Sequence, residues 1–111
     1  MIRVTVLYPN TPGARFDWAY YLNTHIPLAL RRLGGAVKGS AVDQGVGGLQ
    51  PGSPAPYVAI AQFLFDSVDA LQQAFGPHAD ELLGDIPNYT DIQAVFQISE
   101  VKLSGAEAAR T

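Results

Sequence analysis

The residue best suited to acid–base chemistry is His25, because histidine is the side chain whose ordinary pKa lies closest to neutral pH. Tyr21 precedes it by four residues, so the two side chains are predicted to share one face of a helix. Pro27 lacks an amide proton and is expected to break or kink that helix around Asn23–Ile26, with His25 at the joint. The spacing predicts that His25 transfers a proton and that Tyr21 orients the substrate. The alternative is structural, with His25 bonded to a backbone carbonyl that Pro27 frees.

A second group of polar side chains lies near the C-terminal end, where Asp85, Asn88 and Tyr89 combine a carboxylate, an amide and a phenol. A loop that carries these groups just before a predicted strand would close over a ligand, so all three are predicted to bind substrate. The alternative is turn chemistry, because Asp and Asn favour turns and Pro87 would fix one.

Other motifs give no support for a metal or a cofactor. His78 lies beside Asp80 and Glu81 but far from His25 in sequence, whereas a metal needs several converging ligands. The glycine-rich segment at 45–48 is not followed by a helix whose amides would hold a phosphate. The sequence has no cysteine, which excludes thiolate nucleophiles and iron–sulfur clusters. We therefore predict no metal and no cofactor.

The composition limits the class of partner. The chain has 111 residues, a net charge of −3 and only seven Lys and Arg, which are scattered. This balance argues against binding nucleic acid or an anionic membrane surface. No apolar run approaches the ~18 residues of a membrane helix, and the N-terminus does not resemble a signal peptide. A cytoplasmic protein is expected.

Alternating and β-branched residues predict four strands. These strands are expected at residues 2–8, 36–44, 57–65 and 92–103. Because 57–65 is apolar on both faces, it is expected to lie inside the sheet.

Helical spacing predicts two helices. The first covers residues 16–33, with Asp17 as its N-cap rather than a catalytic base. The second begins at Asp66 or Ser67 and resumes over 78–83 after an interruption at Gly76-Pro77. The resulting order, β-α-β-β-α-β, predicts an α+β, ferredoxin-like fold with a four-stranded antiparallel sheet and both helices on one face.

The other face of that sheet is predicted to be bare, with a mixture of side chains too apolar for water. They are Thr5, Leu7, Ile60, Gln62, Leu64, Val95, Gln97 and Ser99. Packing against an identical sheet in a homodimer would cover them. The amides of Gln62 and Gln97, together with Tyr8 at the edge of the pocket, complete the predicted substrate-binding residues.

An ordered set of short motifs resembles the EthD family. The motifs are Val6-Leu7-Tyr8-Pro9, Phe16-Asp17, Tyr20-Tyr21, His25-x-Pro27-Leu28, Phe65-Asp66-Ser67, Asp85-Ile86-Pro87-Asn88-Tyr89-Thr90 and Gln97-Ile98-Ser99. The resemblance covers nearly the whole chain and implies a dimeric α/β barrel. In such a barrel two sheets pack across a dimer axis, and each subunit keeps a pocket between its sheet and its helices. The resemblance also implies that His25, in the HxP motif, is a site residue.

What the resemblance implies about activity is broad. The family is named for the degradation of ethyl tert-butyl ether, where its role looks accessory; members are often labelled oxidoreductases, and fungal relatives look like dehydratases of aromatic polyketides. We predict an EthD-like domain over 1–103, with a flexible tail at 104–111. The predicted function is acid–base or oxidation-supporting chemistry, without a cofactor, on a hydrophobic or aromatic metabolite. The alternative is a non-catalytic accessory or binding protein for a monooxygenase or degradation pathway.

Overall fold

Alternating apolar residues form a single antiparallel sheet in the computed structural model, which describes residues 1–104. Its strands are β1 (Ile2–Pro9), β2 (Gly39–Gln44), β3 (Tyr57–Phe65) and β4 (Val95–Glu100). Their order across the sheet is β2-β3-β1-β4. The helices cover one face, so the predicted α+β, ferredoxin-like architecture is confirmed. Strands β2 and β4 are shorter than predicted, and a 3-10 turn at Gly34–Ala36 occupies the start of the expected second strand.

The first helical segment begins with an N-cap, as the sequence predicts. The side chain of Asp17 accepts a hydrogen bond from the amide of Tyr20, 3.1 Å away, and helix α1 covers Trp18–Tyr20. A π-helical turn then spans Tyr21–His25 and passes directly into helix α2 (Ile26–Leu33). Gly34, with φ of 61°, ends the helix in a conformation that side chains disfavour.

The predicted break at Pro27 takes the form of this π-helical turn. Pro27 has no amide proton to offer to the preceding turn. The amide of Ile26 bonds to the carbonyl of Tyr21, five residues back, and the backbone remains helical on both sides. His25 does lie at the junction, but the chain accommodates the proline by widening one turn instead of separating into two helices.

The second helical segment is capped by Ser67, whose hydroxyl accepts the amide proton of Ala70 at 3.0 Å. Helix α3 (Val68–Phe75) leads through a 3-10 turn at Gly76–His78 into helix α4 (Ala79–Gly84). A further 3-10 turn at Ile86–Asn88 follows. The interruption at Gly76-Pro77 is therefore as the sequence predicts.

Two clusters of buried side chains form the core between sheet and helices. The phenylalanine cluster consists of Ile2, Leu33, Ala61, Phe63, Phe65 and Leu71. The tyrosine cluster consists of Tyr8, Tyr21, Ala59, Tyr89 and Ile92. They occupy opposite ends of β1 and β3, because Tyr8 pairs with Ala59 while Ile2 pairs with Phe65.

The opposite sheet face carries the residues that the sequence assigns to it. Thr5 lies between Gln62 and Gln97, and the next row places Leu7 between Ile60 and Val95. The helices leave this face uncovered.

Ser104 is the last described residue and has no regular secondary structure, and the rest of the predicted tail, 105–111, lies outside the described residues. Every helix within residues 1–104 is too short or too polar to traverse a lipid bilayer.

Candidate functional site

The site is built where the loop after α4 meets the first helical segment. The amide of Asp17 donates to the carbonyl of Tyr89 at 2.7 Å. The guanidinium of Arg15 donates to the carbonyl of Pro87 at 2.8 Å, and Phe16 forms a β-bridge with Thr90. These backbone contacts fix the loop against the start of α1, which brings Asp85 to His25.

The central contact joins His25 to Asp85. The imidazole Nδ1 lies 2.8 Å from Oδ2 of Asp85, and His25 is only 8% exposed. The second carboxylate oxygen, Oδ1, accepts hydrogen bonds from the hydroxyl of Tyr20 at 2.6 Å and from the side-chain amide of Asn88 at 2.9 Å. Three donors therefore converge on this carboxylate and hold it in place against the imidazole.

The charge of Asp85 follows from these contacts. Burial opposes ionisation, but the hydrogen bonds from Tyr20, Asn88 and His25 together outweigh it and hold the pKa of Asp85 below its usual value. An ionised carboxylate only accepts hydrogen bonds, so Nδ1 of His25 must carry the proton that it shares with Asp85. In the neutral imidazole the lone pair is then on Nε2.

Nε2 is the atom of this pair that is open to a ligand. Within residues 1–104 no side chain hydrogen-bonds to it, and no fully buried side-chain nitrogen or oxygen in that part of the chain lacks a partner. Nε2 is thus not sealed inside the protein. The arrangement leaves a base whose tautomer and orientation are set from behind by Asp85.

Buried phenols surround the imidazole. Tyr21 stacks on His25 with ring centroids 5.7 Å apart, and the ring of Tyr89 lies 4.7 Å from the imidazole. The hydroxyls of Tyr8 and Tyr89 are 2.6 Å apart. Burial raises the pKa of all three phenols well above the usual range, so they remain neutral and act only as hydrogen-bonding groups.

A cavity of about 300 Å³ lies between the helices and the sheet, and His25 forms part of its wall. The rest of the lining is apolar apart from the phenols of Tyr8 and Tyr21. The cavity opens beside strand β4, where three of its lining side chains are about half exposed. They are Leu83, Phe96 and Ile98, at 43%, 51% and 53%. A volume of this size is at the lower end for small-molecule sites.

The structure brings several predicted site residues together. His25, Tyr21 and Tyr8 line the cavity. Asp85 and Asn88 lie behind His25 and contact each other, so they hold the imidazole instead of facing the cavity. They also form the predicted turn, since the amide of Asn88 bonds to the carbonyl of Asp85.

Two predicted substrate-binding residues lie elsewhere. Gln62 and Gln97 flank Thr5 on the uncovered face of the sheet. Side chains alternate between the two faces of a strand, so residues in this row point away from the helices and the cavity. The structure does not place these amides with His25. His78, in the 3-10 turn before α4, is also outside the cavity lining.

Sequence reasoning missed Tyr20 as a site residue. Spacing by four predicts the Tyr21–His25 pair, but Tyr20 is five residues from His25 and would not be its neighbour on an ordinary α-helix. The π-helical turn brings residues five apart into register. The signal in the sequence is the proline two residues after the histidine, which indicates a widened turn.

Among residues 1–104, no three His, Cys, Asp or Glu side chains converge in a way that would hold a metal ion.

Comparison with known proteins relates this chain to one family. A model of the EthD domain matches residues 14–93. The crystal structure of an EthD-like protein from Ralstonia eutropha JMP134 is 47% identical, with a TM-score of 0.88 over 93% of each chain. No curated protein matches the sequence.

More distant structures share the fold. An EthD family protein from Bacillus halodurans C-125 is 19% identical, with a TM-score of 0.63 over 91% of this chain and 98% of its own. A protein from Arabidopsis thaliana is 15% identical, with a TM-score of 0.66 over 94% of this chain and 98% of its own. At these identities the likeness concerns the fold alone.

Proposed function

This chain belongs to the EthD family, and we propose that it transfers a proton on a hydrophobic or aromatic small molecule without a bound cofactor. The observation that supports this proposal is the pairing of His25 with Asp85 at 2.8 Å on the wall of an apolar cavity. Nδ1 of His25 is bonded to this carboxylate and not to a backbone carbonyl freed by Pro27, which is the partner that the structural alternative assigns to it.

The mechanism follows from the position of the proton in the His25–Asp85 pair, which is on Nδ1 and leaves the lone pair on Nε2. Nε2 of His25 removes a proton from the bound molecule, and the imidazolium that forms keeps its Nδ1 proton directed at Asp85. The negative carboxylate stabilises this charge in an environment of low dielectric constant. His25 then returns the proton, either to another carbon, which gives an isomerisation, or to a hydroxyl that leaves as water, which gives a dehydration. Positioned acid–base groups of this kind contribute about 10²–10⁴-fold.

Tyr20 and Asn88 keep the carboxylate ready for this role. Each donates a hydrogen bond to Oδ1 of Asp85, so Oδ2 remains directed at the imidazole. Tyr21, whose ring stacks on His25, stays neutral because burial raises its pKa, and it is the phenol we assign to orienting the ligand.

The experiment that tests this function compares the two histidines of the chain. Wild-type protein, His25→Gln and His78→Gln are incubated in D₂O with a panel of hydrophobic and aromatic ketones and phenols, and deuterium uptake into carbon is followed by mass spectrometry. His25→Gln is expected to lose at least about 100-fold in exchange rate, and His78→Gln is expected to match wild type. Equal exchange by wild type and His25→Gln would remove His25 from the mechanism.

The competing function is binding without catalysis, as in an accessory protein of a degradation pathway. The almost entirely apolar lining favours it, since a carrier needs little more than such a cavity. The same panel of ketones and phenols distinguishes proton transfer from binding without catalysis. A ligand retained by wild type and His25→Gln alike, with no deuterium uptake in either, identifies the protein as a carrier.

We also propose a homodimer formed through the uncovered sheet face. The row Ile60–Leu7–Val95 gives this face an apolar centre, which packing against a second copy would remove from water. Ile60→Arg is expected to convert the dimer to monomer in light-scattering measurements, while Val46→Arg, on a loop side chain that is 98% exposed, is expected to leave it intact. A wild-type protein that is monomeric at high concentration contradicts the proposal.

A further inference from the structure

The cavity has a long axis with different chemistry at its two ends. Along the sheet it extends from Tyr8, in the tyrosine cluster, to Phe65, in the phenylalanine cluster. Along the end of the π-helical turn and helix α2 it is lined by His25, Ala29 and Leu33, whose Cα atoms span about 12 Å at the rise of an α-helix. His25 lies at the tyrosine end. The opposite end is lined by Phe65, Leu71 and Phe75.

Apart from His25, which is neutral until it takes up a proton, the lining offers no partner for a charged ligand. Among the residues described, no lysine, arginine or carboxylate contributes to its wall. The carboxylate of Asp85 lies behind His25, where it would repel an anion, and its oxygens already accept three hydrogen bonds. An unpaired charge moved from water into such surroundings is unfavourable by several kcal/mol.

The polar groups inside the cavity are confined to one end. The hydroxyl of Tyr8 is bonded to Tyr89 and also interacts with the hydroxyl of Tyr21, so Nε2 of His25 is the polar atom of the lining that, within residues 1–104, has no side-chain partner to compete with a ligand. Everything beyond Ala29 along the axis is aliphatic or phenyl. A ligand with a single polar group would therefore satisfy that group only at the His25 end.

We propose that the ligand of this site is uncharged and elongated, with one polar group at His25 and an apolar body that extends along α2 toward Phe75. The inference rests on the proposed function for the role of His25, and it adds the charge, length and direction of the ligand. At about 1.2 Å per bond of an extended chain, 12 Å corresponds to roughly ten carbons. The ligand enters between α4 and β4, past Leu83, Phe96 and Ile98.

Calorimetric titration with straight-chain 2-alkanones of six to fourteen carbons, against the carboxylates of equal length at neutral pH, tests the inference. Each added methylene is expected to tighten ketone binding about threefold to fourfold until roughly ten carbons, after which the affinity is constant. Carboxylates are expected to bind at least about 30-fold more weakly than the ketone of equal length. Equal affinity for the two classes, no dependence on chain length, or no ketone binding at all would overturn the inference.

Two variants locate the ends of the ligand. Phe75→Ala is expected to shift the plateau to longer ketones, because it removes a ring that lines the end of the cavity away from His25. Phe96→Lys supplies a cation at the mouth and is expected to bind carboxylates about tenfold more tightly than the matched Phe96→Gln, with ketone affinity equal in both. Both Phe96 variants change a half-exposed side chain, so they remain informative even if Phe75→Ala does not fold. Carboxylate affinity equal in the two Phe96 variants would contradict the assigned entrance.

The outcome also distinguishes this inference from the proposed function. Length-dependent ketone binding without deuterium exchange leaves the ligand class standing and removes proton transfer. Exchange that depends on His25, together with carboxylate binding as tight as ketone binding, removes the ligand class and leaves proton transfer standing.

Discussion

Both ends of the core are buried, but they are held together by different forces. In the tyrosine cluster the side chains are fixed by directional hydrogen bonds, such as that between the hydroxyls of Tyr8 and Tyr89. In the phenylalanine cluster only apolar area and shape are available. This small domain therefore separates its tasks: one end supplies stability by burial, and the other packs phenols around the imidazole that Asp85 orients.

The largest effect is expected from Phe65→Ala in the phenylalanine cluster. Phe65 is almost fully buried, so the substitution should lower the free energy of unfolding by about 3–5 kcal/mol through lost burial and an unfilled cavity. Denaturant unfolding measures this change. Phe96→Ala, which truncates a half-exposed ring, is the control and is expected to lose less than about 1 kcal/mol. Similar losses for the two variants would show that burial in this cluster is not the main source of stability.

Asp85→Asn is expected to have the next largest effect, about 1–3 kcal/mol at pH 7, because it removes the charge that three donors contact. The pKa of Asp85 lies below its usual 3.8 in the folded protein. As the pH falls, the unfolded chain therefore binds more protons at this carboxyl than the folded protein does. The difference in free energy of unfolding between wild type and Asp85→Asn should therefore be complete above about pH 5. It should disappear as the pH falls through 3.8 and below. Unfolding measured from pH 3 to pH 7 checks this, and a difference that is independent of pH would contradict it.

Tyr89→Phe is expected to lower the free energy of unfolding by about 1–2 kcal/mol, because it leaves the buried hydroxyl of Tyr8 without its partner. Removing both hydroxyls, with Tyr8→Phe and Tyr89→Phe together, should be less damaging than the sum of the two single changes. The double-mutant cycle measures this coupling. Additive losses would mean that the two phenols do not depend on each other.

The smallest change in the free energy of unfolding is expected from Tyr20→Phe at a partly exposed position. The informative measurement is the carbon NMR titration of the carboxyl of Asp85. Since the hydroxyl of Tyr20 lowers that pKa, its removal should raise the pKa toward the usual value. An unchanged titration would show that Tyr20 does not stabilise the charge.

Much of the fold follows from local rules that the sequence displays. Period-two alternation defines the faces of β1 and β3, and Asp17 and Ser67 cap the helices as expected from their side-chain oxygens. These features depend on residues a few positions apart. The strand ends are less predictable, because nothing local indicates that a 3-10 turn at Gly34–Ala36 delays β2.

The site was only partly predictable because its main contacts join distant parts of the chain. His25 and Asp85 were both candidates, but their pairing across 60 positions depends on the loop held by Arg15 and Asp17. The amides of Gln62 and Gln97 suit substrate binding by chemical type, but strand alternation puts both residues on the uncovered face and away from His25. Chemical type alone was a weaker guide than position in the sheet.

The π-helical turn at Tyr21–His25 acts as a phase shift in the helix. The extra residue of this turn rotates the side chains that precede it around the helix axis relative to those that follow it. The rotation is about 100°, which is the rotation per residue of an α-helix. That rotation lets Tyr20 share a carboxylate with His25. A relative with a one-residue deletion between positions 20 and 26 should therefore lack the hydrogen bond by which Tyr20 holds the carboxylate against the histidine. A single-residue gap at this place in an alignment would then mark a protein with an altered site.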